Sequence, residues 1–254
     1  MWSGPRNIST ALMRSFGARA DCHVSDEPLY GHYLLKTGLP HPDADEVIRS
    51  QPNDWRDVAS ELTGSLPADK SLWYQKHMSH HLLPNISRIW LEQLTNVFLI
   101  REPRAMLASL IAVLGEVTLQ DTGLPQQVEL FCSEKQRIGT TPVVVDAKEL
   151  LLDPEGVLRE ICLRVGISYD PAMLSWAPGS RETDGCWGKH WYANTNDSEG
   201  FAKYQERDVV LPARYEELAM QCEALYIELA IHRIRANADS EVEAKSNANN
   251  VRSN

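Results

Sequence analysis

Apolar residues in this chain follow two alternating patterns. Short continuous runs occur at Ser71–Lys76, Asn96–Arg101 and Pro142–Asp146, and a shorter one at Cys22–Val24. Runs without polar interruption suit strands covered on both faces, as in a parallel sheet. Between them the spacing becomes helical. Residues 10–18 carry Leu12, Met13 and Phe16 on one side, and Pro103–Leu114 opens with a proline in the first turn. Pro154–Val165 carries Val157, Leu158, Ile161, Cys162 and Val165, with Asp153 as N-cap. A long helix is expected over Pro212–Ile234. Strands separated by helices predict one α/β domain over residues 1–235, with a mainly parallel sheet flanked by helices. Residues 177–203 have no period but several aromatics, and a loop that long in a compact domain is usually functional or disordered. Residues 236–254 are rich in Asn, Ser, Glu and Ala and read as a disordered tail.

Charge narrows the partners. The chain has 254 residues with a formal net charge of −10, which argues against a broad basic face for nucleic acid. No apolar stretch is long enough to span a membrane, and Met1-Trp2-Ser3-Gly4-Pro5-Arg6 lacks the hydrophobic core of a signal peptide, so none is expected. Five cysteines, widely spaced and without a CxxC pair, read as free thiols in a reducing compartment, so a cytoplasmic protein is expected. Oligomeric state is not legible.

Two segments carry candidate chemistry. The first is Ser3-Gly4-Pro5-Arg6-Asn7-Ile8-Ser9-Thr10, which runs straight into a helix. Gly4 allows a tight turn and close approach to a ligand. Ser9 and Thr10 are expected to cap the helix, whose first-turn N–H groups attract anions. From Met1 to Ala20 there are Arg6, Arg14 and Arg19 and no acid, a local reversal of the overall charge. The GxxxxGKS/T loop of nucleotide triphosphatases is absent. In the second segment, Arg101 ends a strand, where open α/β sheets place ligands, and Ser109 lies about two turns into the next helix. Such an Arg and Ser can grip one phosphate from two sides.

A general base is needed for most transfers, and two places offer one. Glu27 stands in Asp26-Glu27-Pro28-Leu29-Tyr30, and Lys76-His77-Met78-Ser79-His80-His81 follows a strand. A His near its ordinary pKa suits proton abstraction near neutral pH. The three histidines as a metal site lack an HExxH pattern, and no metal is expected. Each residue also has a plainer role open to it: Glu27 as a turn carboxylate, the histidines as a partly exposed loop.

Together the two segments resemble PAPS-dependent sulfotransferases, in a bacterial branch that begins with a WSGPRNIST-like loop. The likeness continues through residues 144–154 and 161–167, then Trp191-Tyr192 and Ser198–Phe201. It implies a P-loop-like sulfotransferase architecture with PAPS (3′-phosphoadenosine 5′-phosphosulfate) as donor. It further implies a small-molecule acceptor bearing a hydroxyl or amine, and no metal. By position, Gly4, Pro5, Arg6, Asn7, Ser9 and Thr10 would hold the 5′-phosphosulfate, with Arg6 also catalytic. Arg101 and Ser109 would hold the 3′-phosphate. Glu27 matches the base of carbohydrate- and lipid-type members. His77, or else His80 or His81, matches the Lys-x-His segment of cytosolic members out of register. Apart from the resemblance, Lys189 or Lys203 of the irregular 177–203 stretch is a candidate to add charge near a phosphate. A loop of this kind normally follows a central strand, yet only Met1 and Trp2 precede Ser3. Either the strand is a stub or the gene product starts upstream. A P-loop-type small-molecule kinase and a non-catalytic nucleotide-binding protein with a truncated first strand remain as alternatives.

Overall fold

A computed structural model describes residues 1–206 and 208–237. Its element order is β1 (Trp2–Ser3), α1 (Ser9–Gly17), β2 (Cys22–Asp26), α2 (Tyr30–Thr37), α3 (Ala44–Ser50), α4 (Trp55–Leu62), β3 (Leu72–Met78) and β4 (Val97–Ile100). There follow α5 (Pro103–Leu114), α6 (Leu124–Ile138), β5 (Val143–Asp146), α7 (Ala147–Leu152), α8 (Pro154–Val165), α9 (Gly188–Trp191), α10 (Ala193–Asn196) and α11 (Glu216–Ala230). The five strands form one sheet in the order β2-β3-β1-β4-β5, and every pairing is parallel.

The apolar runs are buried on both faces, as their patterning predicts. Along β4, Val97 and Leu99 join a core with Leu12, Phe16, Val24 and Ile161. Phe98 and Ile100 face the other way, against Trp2, Leu130, Phe131 and Leu229. The first strand is a two-residue stub, yet it holds the centre of the sheet. Trp2 stands opposite His77 on β3 and Phe98 on β4.

Local signals set several boundaries. The helices α5 and α8 each begin at a proline, and Asp153 accepts from the Gly156 N–H at 2.9 Å. The terminal helix is shorter than its pattern suggests. A 3-10 turn occupies Ala213–Tyr215, and the helix ends at Ala230, after which the Ile234 N–H donates to Val144. The irregular 177–203 stretch contains the short helices α9 and α10. Ala236 and Asn237, the start of the expected tail, are tied to Glu149 and Asp153; the rest of that tail lies outside the described residues. All five cysteines are free. No helix among the described residues is long and apolar enough to cross a membrane.

With β1 between β3 and β4, chain direction across the sheet reverses around the central strand. Open sheets bind ligands at such a reversal, beyond the carboxyl ends of the strands. The ends of β1, β2, β3 and β4 lead into Gly4–Thr10, Glu27, Ser79–His81 and Arg101.

Candidate functional site

A cavity of about 340 Å³ opens at that edge, and both phosphate segments border it. Pro5, Arg6, Asn7, Ser9 and Thr10 line it from the first segment, Arg101 and Ser109 from the second, and Glu27 from the end of β2. The segments touch directly. Arg6 Nε donates to Ser109 Oγ at 2.9 Å, and Arg101 Nη1 donates to the Arg6 carbonyl at 2.6 Å.

The loop is shaped by backbone conformation. Arg6 and Ile8 have φ of 63° and 59°, the left-handed region, which is strained for a β-branched residue. Such strain costs about 1–3 kcal/mol and concentrates at ligand clamps. Left-handed turns also gather backbone N–H groups into anion-binding concavities. Helix α1 has Ile8 at its N-cap and no side-chain cap. This corrects the expectation that Ser9 and Thr10 cap it. They occupy its first turn and line the cavity instead, leaving first-turn N–H groups for a ligand. Gly4 also has a different reason from the expected one. It does not line the cavity; a Cβ there would meet the Thr122 carbonyl oxygen at 2.4 Å, so it is the loop's packing against its neighbour that excludes a side chain.

The cationic run at the N-terminus separates into three roles. Only Arg6 faces the cavity. Arg14 is buried and forks onto Asp184 at 2.5 and 2.7 Å. Arg19 forks onto Asp21 at 2.9 and 3.0 Å. The other proposed cations also fall elsewhere. Lys189 pairs at the surface with Asp43 and Glu46, and Lys203 is exposed and does not line the cavity.

Glu27 belongs to a buried polar knot. Lys76 Nζ reaches Asp26 Oδ1 at 2.8 Å, Glu27 Oε1 at 2.5 Å and Tyr192 Oη at 2.7 Å. The Tyr192 hydroxyl meets both Asp26 oxygens at 2.8–2.9 Å and Glu27 at 3.3 Å. Burial pulls the Lys76 ammonium down, and the two carboxylates more than offset it, raising its pKa. One ammonium does not neutralise two carboxylates, and burial raises Glu27 above the ordinary carboxylate range.

The histidines separate as well. His77 is not at the cavity. Its ring stacks on Trp2 at 4.3 Å and lines a second hollow beside Trp2 and Asn96. The cause is register: consecutive strand residues point to opposite faces, so His77 points away from the side that Lys76 faces. His80 and His81 do line the cavity, but as members of a ring wall. The His81 ring stacks on Tyr30 and on Tyr33, both at 4.6 Å, and His80 meets the Tyr33 ring edge-on at 5.3 Å. Burial lowers the His80 pKa to about 4 and puts His81 well below its ordinary value. These are neutral, packed rings.

Sequence reasoning missed Tyr33, His41 and Asp121, which also line the cavity. Asp121 sits in a 3-10 turn with no local motif. Tyr33 falls on the face of α2 that its own apolar spacing would assign to the core. From the irregular stretch, Trp187, Trp191, Tyr192, Asn194 and Thr195 close one side.

Comparison with known proteins agrees with this architecture. Two proteins of Arabidopsis thaliana, named branched-chain-amino-acid aminotransferase-like protein 2 and protein 1, are 33% and 34% identical over 231 and 232 residues, covering 91% of this chain. The chain spans 41% of the length of each. The sulfotransferase domain of the Synechococcus PCC 7002 olefin synthase shares the fold, with a TM-score of 0.55 at 18% identity over 89% of this chain and 92% of that one. Residues 1–223 match the family model described as a sulfotransferase domain, and the chain belongs to that family.

Proposed function

We propose that this chain transfers a sulfonyl group from PAPS to a hydroxyl or amine of a small-molecule acceptor. The observation that carries the reading is the shared cavity: Arg6, Arg101 and Ser109 meet at one edge, and Glu27 lines the same space. A doubly phosphorylated adenosine needs two anion sites, and the residues suit it. The loop after β1 offers Arg6, the side chains of Ser9 and Thr10, and uncapped N–H groups at the start of α1. Arg101 and Ser109 form the second site.

When bound, this donor supplies an activated sulfonyl group on a phosphate leaving group. The chain's residues do the rest. Glu27 takes the proton of the acceptor hydroxyl as the oxygen–sulfur bond forms. Lys76 fixes the carboxylate through the 2.5 Å contact, and Tyr192 braces both. Arg6 and the first-turn amides of α1 stabilise the electron pair that collects on the leaving phosphate oxygen as its bond to sulfur breaks. Positioning in the cavity contributes much of the remaining acceleration. Glu27 is preferred to the histidines as base because His77 lies elsewhere, His81 is stacked between two tyrosine rings and His80 packs edge-on against Tyr33.

The aminotransferase-like names of the plant relatives do not carry over to this site. A Schiff-base lysine must present a neutral amine, whereas Lys76 is paired with two carboxylates and its pKa is raised.

The test is thermal shift and calorimetry with adenosine 3′,5′-bisphosphate against ATP–magnesium, followed by transfer of labelled sulfonate to candidate acceptors. Binding of the bisphosphate but not ATP–magnesium, together with label transfer, is expected. Preference for ATP–magnesium would favour a kinase, and binding without transfer a non-catalytic protein.

A further inference from the structure

We propose that the acceptor carries a cationic group, an ammonium or a guanidinium, and that Asp121 together with the Tyr33 ring wall selects it. This rests on the sulfonyl-transfer reading and names the acceptor class for the same cavity. In the cavity, Arg6, Arg101 and the paired Lys76 supply the cations, and the same lining holds Tyr33, His41, His80 and the Asp121 carboxylate, whose turn packs through Thr122 on Gly4.

The two acids that line the cavity differ in their partners. Glu27 is matched by Lys76. Asp121 accepts at Oδ2 from the Thr118 N–H at 2.8 Å and the Thr118 hydroxyl at 2.7 Å, and among the described residues it forms no ion pair. Its charge is felt at Tyr33, His41 and His80. None of these supplies a compensating cation. Burial pushes the Tyr33 hydroxyl up to about 12, lowers His41, and takes His80 down to about 4. Burial favours the neutral form of all three rings, so none of them offsets the Asp121 carboxylate.

Aromatic faces carry negative potential and attract cations, most strongly when water is excluded. Asp121 is half-buried and keeps its Thr118 hydrogen bonds; a carboxylate beside such faces disfavours an anionic acceptor, and a neutral acceptor gains no charge pairing from it. An ammonium or guanidinium satisfies both the carboxylate and the rings. The chain's net charge of −10 favours the approach of a cation as well.

The experiment uses three ligands with one skeleton: tyramine, 4-ethylphenol and 3-(4-hydroxyphenyl)propionate. Binding is measured by calorimetry to the full chain saturated with adenosine 3′,5′-bisphosphate, for the parent and for Asp121→Asn, which keeps an oxygen to accept from Thr118. Tyramine is expected to bind about tenfold tighter than 4-ethylphenol, with the propionate weakest. In Asp121→Asn that preference is expected to shrink to within about twofold. Equal binding of tyramine and 4-ethylphenol, no measurable tyramine binding, or a preference that survives the substitution would each overturn the inference. The bisphosphate is titrated first. Its failure to bind would sink the sulfonyl-transfer reading alone, and the ligand series is then run on the unliganded protein, where the same outcomes decide.

Discussion

Arg101, at the end of β4, donates from Nη1 to the carbonyl oxygen of Arg6 at 2.6 Å, across 95 residues of sequence. The contact ties the second phosphate segment to a left-handed residue of the first. Arg101→Ala removes that tie and a cation at once, and adenosine 3′,5′-bisphosphate is expected to bind about 10–100-fold more weakly by calorimetry. Ser109→Ala removes only the hydroxyl that holds Arg6 Nε, and a loss of about threefold to tenfold is expected. Equal affinities in both variants and the parent would contradict the two-site reading.

Gly4 shows how packing dictates the loop. An added Cβ would lie 2.4 Å from the backbone oxygen of Thr122, and a backbone atom has little freedom to retreat. Gly4→Ala is expected to cost about 1–3 kcal/mol, the range for overpacking. Urea denaturation measures that cost. Because the loop shifts with the clash, weaker bisphosphate binding is expected to accompany it.

Elements with continuous apolar runs or a proline start were legible in the sequence, because burial on two faces and a missing N–H leave local marks. The helices α5 and α8 begin and end where their spacing places them. The pairing of Arg6 with Arg101 was accessible only through the order of two motifs. What local pattern does not carry is long-range pairing. Arg14 looks like part of a basic loop, but its partner Asp184 lies 170 residues away. The Lys76-to-His81 run looks like a set of bases, yet strand register sends His77 to the other face. Tyr30 and Tyr33, from a different helix, then convert His81 into a stacked ring. Asp121 gave no sign at all, since a carboxylate in a short turn has the same local sequence whether it faces solvent or a cavity.

The Arg14–Asp184 pair anchors the irregular stretch that closes the cavity. Both side chains are buried, and Arg14 also donates to Asn196 at 3.1 Å. Arg14→Ala leaves the Asp184 charge buried without its partner, a situation that costs about 3–5 kcal/mol. Denaturant unfolding is expected to show that loss. The double variant Arg14→Ala with Asp184→Ala is expected to be more stable than the sum of the single losses implies. Simple additivity would mean that the pair is not coupled.

Acid stability follows from the buried histidines. His77, His80 and His81 are held below the ordinary histidine pKa by burial, His80 at about 4. Between about pH 4 and 6.5 the unfolded chain therefore binds protons at these positions that the native chain does not, and stability rises with pH through that window. Glu27 and Asp146 work in the opposite sense, because their raised pKa lets the native state hold extra protons, but His41 and His232 are lowered as well and add to the three histidines. Urea midpoints are expected to fall steadily as pH drops from 6.5 to 4. His81→Phe keeps a ring between Tyr30 and Tyr33 while removing one titration, and is expected to flatten the slope. An unchanged slope would show that His81 titrates normally.

Tyr192 offers the sharpest separation of a chemical role from a packing role. Its hydroxyl meets Glu27 at 3.3 Å and receives a hydrogen bond from Trp187 at 3.0 Å, so it links the segment over the cavity to the proposed base. The bond to Glu27 favours the ionised carboxylate and opposes the upward push of burial. Tyr192→Phe keeps the ring, and with it the cation–π contact to Lys76 at 4.9 Å, but removes that bond. Glu27 then holds its proton to higher pH. The acidic limb of kcat/KM, which reports the free enzyme, is expected to move upward in pH, while the plateau rate at high pH falls less than the rate at low pH. A uniform fall with no movement of the limb would assign Tyr192 to packing and remove Glu27 as the titrating base.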